Sequence, residues 1–177
     1  VGSGIVQLCR ARGAIPYAVT RADKAEALMT SGAEAVIDRG AADWVEAVEA
    51  ATGGAPIDVV ADLVAGPHFN DLLRILRPEG RYTTAGAIAG PVVELDLRTL
   101  YLKQLQINGS SQGRRSDFQR LLGHVLAGRI QPLLHATYRL SDFHHAQRDF
   151  MDKDYVGKLV VVPDRHWDRV GAPHVRD

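Results

Sequence analysis

Short apolar runs and longer amphipathic runs alternate along nearly the whole chain, with glycine or proline at most junctions. A helix spaces its inward residues at i, i+3 and i+4, whereas a strand covered on both faces is apolar throughout. Gly4–Arg12 reads as a helix with Ile5, Leu8 and Cys9 on one face, stopped by Gly13. Ile15–Thr20 reads as a strand with Pro16 near its tolerated start. Ala22–Ser31 is a helix ended by Gly32, and Ala35–Asp38 is a short strand. Asp43 begins a helix with Glu46 placed for a capping box, and Gly53–Gly54 end it. Ile57–Val64 (IDVVADLV) is the apolar strand expected in the middle of a parallel sheet. Pro67 opens a helix with Phe69, Leu72, Leu73 and Leu76 inward. Arg81–Ala85 is a strand leading into the small-residue loop Gly86–Gly90. Leu95–Lys103 is a helix, Leu105–Ser110 a strand, and Ser116 caps a helix carrying Phe118, Leu121, Leu122, Val125 and Leu126. His135–Leu140 is a strand, Ser141 caps a further helix, and Lys158–Val162 is a strand. The tail from Pro163 is polar and unpatterned, so it is expected to be exposed.

This alternation predicts an α/β fold, a doubly wound Rossmann-type parallel sheet with helices on both faces. In the order 3-2-1-4-5-6 a glycine turn follows the first strand directly. The chain opens on VGSG, Val1 to Gly4, with a helix after it and no strand before it. If VGSG is that turn, the first and central strand is lacking. The strands at Ile15 and Ile57 then flank an empty slot, which predicts a split sheet, open edges and exposed apolar faces.

Composition removes several function classes. The chain has 177 residues, enough for one core. Lys plus Arg is 21 and Asp plus Glu is 21, so no basic field draws in nucleic acid or an anionic membrane. Cys9 is the single cysteine, which rules out an internal disulfide and a cysteine zinc cluster and fits a reducing cytoplasm. No apolar stretch approaches the roughly 20 residues of a membrane-spanning helix. The missing Met suggests a processed or cropped chain. His144 and His145 are adjacent and point apart on a helix, and the other histidines lack ligand spacing. Asp58 and Asp62 bracket the apolar strand as loop anchors, and Arg114–Arg115 read as solvated loop charges. No GxSxG is present, and no tyrosine is followed four residues later by lysine, which excludes a short-chain reductase.

Five segments taken in order resemble the medium-chain dehydrogenase/reductase superfamily, the group of zinc-type alcohol dehydrogenases and quinone oxidoreductases. They are VGSGIVQLCRARGA, VTRADKAEALMTSGAEAVIDR, IDVVADLVAGP, LRPEGRYTTAG and GKLVVVP. The resemblance runs from Val1 to Pro163. It implies a Rossmann domain over residues 1–131, a C-terminal return over 132–163 to a catalytic domain that precedes Val1, and a tail over 164–177. The family's turn reads like GxGGVG, so Val1 and Gly2 would close it, with Gly2 letting the helix pack near the strand and the helix start facing the pyrophosphate.

An NAD enzyme of this fold places a carboxylate at the end of the second strand. Thr20 stands there instead, with Arg21, Lys24 and Arg39 at hand for a 2′-phosphate, which favours NADPH over NADH. Val64, Ala65 and Gly66 would pass near the adenosine and pyrophosphate. Gly86 and Ala87, with Asn108, Gly109 and Ser110, would meet the nicotinamide through main-chain groups. No catalytic residue and no zinc ligand is identified within the chain. The expected activity is hydride transfer to or from a carbonyl, alcohol, quinone or activated alkene, on a small-molecule substrate. A cytoplasmic homodimer through the edge strand 105–110 is implied by the resemblance. The alternative is a non-catalytic nucleotide-binding or interaction module built on the same fold.

Overall fold

A computed structural model describes residues 1–152 and 154–169 of the chain. The first half runs α1 (Gly2–Ala11), β1 (Tyr17–Thr20), a 3₁₀ turn into α2 (Ala25–Thr30), β2 (Ala35–Asp38), α3 (Trp44–Thr52) and β3 (Ile57–Asp62). It continues through a 3₁₀ turn into α4 (Phe69–Ile75), β4 (Leu76–Thr84), α5 (Leu97–Leu102), β5 (Gln106–Gly109) and α6 (Arg115–Leu126). The last third is β6 (Leu134–Arg139), α7 (Phe143–Asp152), β7 (Lys158–Val162) and a 3₁₀ helix at Asp164–Arg169. Pro16 lies just outside β1, where its missing N–H costs no ladder bond. Gly53 closes α3 in the left-handed region at φ 61°, where a side chain would be strained.

All strand pairs are parallel, as expected of a Rossmann-type fold. β1 pairs β2, β4 lies between β3 and β5, and β6 pairs β7 in a sheet of its own. Among the described residues no ladder joins β1 to β3, so the break falls where the empty slot was expected. A shared core bridges it. Ile37, Trp44 and Val48 pack with Tyr17 and Val19 from β1 and with Ile57, Leu72 and Ile75 from the other half. Trp44 also meets the His68 ring edge-on at 5.3 Å. A second core joins Val60, Phe69, Leu73, Leu76, Tyr82 and Leu105 under β3, β4 and β5.

Several elements differ from the sequence reading. β3 is not covered on both faces as its apolar run suggests, but is open as the empty slot beside it predicts: Asp58, Val59 and Ala61 are exposed, Val59 by 45%. The apolar stripe of α6 also faces outward, with Phe118 65% and Leu126 80% exposed. Amphipathic spacing fixes which residues share a face, not whether a partner covers it. Val6, rather than Ile5, Leu8 or Cys9, is the buried residue of α1. The Asp43 side chain forms no cap bond, because its backbone (φ −104°, ψ 26°) is not the extended form that brings the carboxylate back over the first turn. Ser116 lies inside α6. Asp117 accepts from the Arg114 N–H at 2.9 Å.

Leu76 is buried in β4, not in α4. Ile57 pairs Leu76 and Val59 pairs Arg81, so the intervening residues loop out, with Glu79 at φ 61°. Ser141 binds Asp164 (Oγ to Oδ1, 2.7 Å), and the Arg139 guanidinium sits 4.7 Å over the Trp167 ring. The start of the tail is therefore structured. Residues 170–177, also expected to be exposed, lie outside the described residues.

The open face of β3 and the outward stripe of α6 predict that the 177-residue polypeptide, purified by itself, binds an apolar-surface dye and self-associates. Dye fluorescence and sedimentation velocity check this; a dye-silent monomer would contradict the exposed surfaces.

Candidate functional site

Parallel pairing sends the carboxyl ends of β1 and β2 to one edge, and likewise those of β3, β4 and β5. Doubly wound sheets bind ligands outside those ends. At the first edge lies a cavity of about 390 Å³, lined by Val1, Gly2, Ser3, Thr20, Lys24 and Leu28, with Phe150 and Tyr155–Gly157 opposite. That volume falls within the usual range of small-molecule pockets. α1 begins on it with no acidic residue in its first turn, so unpaired N–H groups and the positive dipole end face the space. A Cβ on Gly2 would come only within 4.0 Å of Leu63 Cδ1. The close contact expected of Gly2 is therefore not formed, because the strand it would press on is not among the described elements.

The cationic residues divide. Lys24 lines the cavity, and its Nζ donates to the Tyr155 carbonyl at 3.2 Å. Arg21 instead forks onto Asp23, donating from Nε to Oδ1 at 3.0 Å and from Nη2 to Oδ2. That pair raises the Arg21 pKa and lowers that of Asp23, both chiefly through the side-chain hydrogen bond. So a carboxylate does stand beside the expected phosphate group, one turn beyond Thr20. Arg39 ties the ends of β1 and β2 through its backbone N–H on the Thr20 carbonyl (2.8 Å). Arg21 and Arg39 are not among the residues lining the cavity. Phe150 and Tyr155 are, though sequence reading missed them. No local pattern links Lys24 to a residue 131 positions away.

The loops after β3 and β4 interlock. The N–H groups of Ala85 and Ala89 donate to the carbonyls of Asp62 (3.0 Å) and Val64 (2.9 Å). A Cβ on Gly86 would sit 2.7 Å from the Leu63 carbonyl oxygen, and one on Gly66 2.8 Å from Ala89. Only glycine permits these approaches. Asp62 anchors the first loop: Oδ1 accepts from the Val64 N–H (2.8 Å) and the Ala65 N–H (3.0 Å), and Oδ2 accepts from the Tyr82 hydroxyl (2.6 Å). The Tyr82 pKa is raised well above its ordinary value, by burial first and then by the Asp62 carboxylate. The Ser110 N–H donates to the Thr84 carbonyl at 2.8 Å. A shallow cleft there gathers Gly86, Ala87, Gly109 and Ser110. Asn108 stays in the β5 ladder opposite Thr83, outside that lining. Among the described residues, no three His, Cys, Asp or Glu side chains come together where a metal could sit.

These features meet in one family. The zinc-binding dehydrogenase family matches residues 1–127. The chain belongs to it, and so to the medium-chain dehydrogenase/reductase superfamily. A solved structure of a provisionally assigned alcohol dehydrogenase from Sinorhizobium meliloti 1021 is 66% identical with a TM-score of 0.88, covering 93% of this chain and 45% of that one. Crotonyl-CoA reductase of Streptomyces collinus is 28% identical, over 92% of this chain and 40% of its own length. An NAD-dependent alcohol dehydrogenase of Sulfurisphaera tokodaii is 27% identical, over 92% of this chain and 48% of its own. The chain thus spans less than half the length of each of these relatives. The region it matches is their cofactor-binding part.

Because the folded Tyr82 pKa lies above the unfolded value of about 10, its bond to Asp62 is fully present below that pH. It is lost as pH rises through the folded value. Asp62→Asn removes the carboxylate, so one phenol should ionise at lower pH than in the parent. Absorbance titration at 295 nm reads this directly.

Proposed function

We propose that the chain is the cofactor-binding part of an NADPH-dependent oxidoreductase that moves hydride to or from a carbonyl, alcohol, quinone or activated alkene. The observation that carries this is a continuous row of small-residue loops. It runs from the start of α1 past Leu63 to the interlocked Val64–Gly66 and Gly86–Ala87 loops, and on to Gly109 and Ser110. Val1 and Gly2 would face the pyrophosphate, with Val64, Ala65 and Gly66 beside it. Gly86, Ala87, Asn108, Gly109 and Ser110 would meet the nicotinamide through main-chain groups. When bound, the nicotinamide gives or accepts the hydride, and this chain's residues bind and orient it.

Thr20, Arg21, Lys24 and Arg39 form the proposed 2′-phosphate end, which favours NADPH. Lys24 is already at the cavity, whereas Arg21 must leave Asp23 to join it. Residues 132–163 are read as the return to a catalytic domain that carries the substrate chemistry. The edge strand β5, exposed at every position, is read as the seam of a homodimer, and a cytoplasmic location is proposed. No helix among the described residues is long and apolar enough to cross a membrane.

Fluorescence titration of the complete enzyme tests the cofactor reading. Arg21→Ala and Lys24→Ala should each weaken NADPH by about tenfold, roughly 1.4 kcal/mol, while NADH changes little. Asp23→Asn frees Arg21 and should tighten NADPH. Equal losses for the two cofactors would refute the phosphate pocket.

A further inference from the structure

The loop after β3 holds an unusual backbone. Ala65 sits at φ 55°, ψ −146°, a region that suits glycine and strains any residue with a Cβ. Gly66 follows at φ 76° and is pressed against Ala89. A strained non-glycine residue persists only where its surroundings over-determine it. Here the surroundings are Asp62 and Tyr82, which are 7% and 1% exposed. A buried carboxylate without a cation must find hydrogen-bond donors. Asp62 finds its donors in the two loop N–H groups and one phenol, and Oδ1 reaches both N–H groups only if the chain turns back over the end of β3. The Tyr82 hydroxyl fixes the carboxylate's rotation from the neighbouring strand, and Phe69 braces the Tyr82 ring edge-on at 5.2 Å.

We infer that Asp62 and Tyr82 are positioning residues that set cofactor affinity by holding the strained Leu63–Gly66 loop in its binding shape. This rests on the proposed function, since the loop matters only if a dinucleotide lies along it. It adds a mechanism that the loop's small residues do not supply: strain at Ala65, imposed from beneath by a carboxylate that never touches the ligand. Neither residue lines the cavity that holds Thr20 and Lys24. The pair's effect should therefore be equal for NADPH and NADH, unlike that of the 2′-phosphate residues.

The test uses the complete enzyme. Dissociation constants for NADPH and NADH are measured by fluorescence, kcat at saturating cofactor, and the melting temperature separately. Asp62→Asn places an amide where Tyr82 now donates, and should weaken both cofactors by about tenfold, with kcat within about twofold. Adding Ala65→Gly supplies a residue that takes the strained conformation freely, and should restore most of the affinity. Tyr82→Phe gives a milder loss of the same kind and serves if Asp62→Asn fails to fold. A merely structural pair would lower the melting temperature and leave both constants unchanged. That result, or a loss that Ala65→Gly does not repair, overturns the inference. A parent that binds neither nucleotide overturns the proposed function, and this inference with it. A parent that binds both, with unaltered variants, overturns this inference alone.

Discussion

The two halves of the main sheet meet through side chains rather than through backbone. With no ladder between β1 and β3, the core around Trp44, Val48 and Ile37 joins them. Removing a buried Trp side chain typically costs about 3–5 kcal/mol, and here that loss would fall on the seam itself. The same core holds residues that lead into both edges of the split sheet, Val19 before Thr20 and Ile57 at the start of β3. Backbone pairing sets each half, and apolar packing sets their relation.

Local signals were legible where the cause is local. Ala35–Asp38 and Lys158–Val162 form the strands that their apolar, β-branched residues indicate. Gly53 and Pro16 punctuate as their backbone chemistry requires. Capping was less legible. Asp43 and Ser116 have the right side chains, but a cap also needs an extended backbone or the right position, and neither has it. The open face of β3 was legible from the empty slot beside it, whereas the outward face of α6 was not, for a different reason. Periodicity identifies an apolar face and is silent on its partner.

The site shows the same division. Gly66 and Gly86 stand out in the sequence, and in the fold each meets a neighbouring loop so closely that only glycine fits. The fate of each cation was not readable. Arg21, Lys24 and Arg39 look alike in the sequence. In the fold, one is forked onto Asp23, one reaches across to Tyr155, and one contributes its backbone to the join between β1 and β2. Partner choice at long sequence separation is a tertiary property, and Phe150 and Tyr155 could be found only from it.

The partner of Lys24 has one more consequence. A carboxylate both orients a cation and cancels its field, as Asp23 does for Arg21. A carbonyl orients an ammonium without neutralising it and leaves further N–H donors free. Among the described ion pairs Lys24 has no carboxylate. Its ammonium is thus aimed by the Tyr155 carbonyl at the wall of the cavity, with Asp23 acting on it through space rather than through a bond. Arg21 must break a salt bridge before it can meet an incoming anion, whereas Lys24 lines the cavity tethered only by an uncharged group.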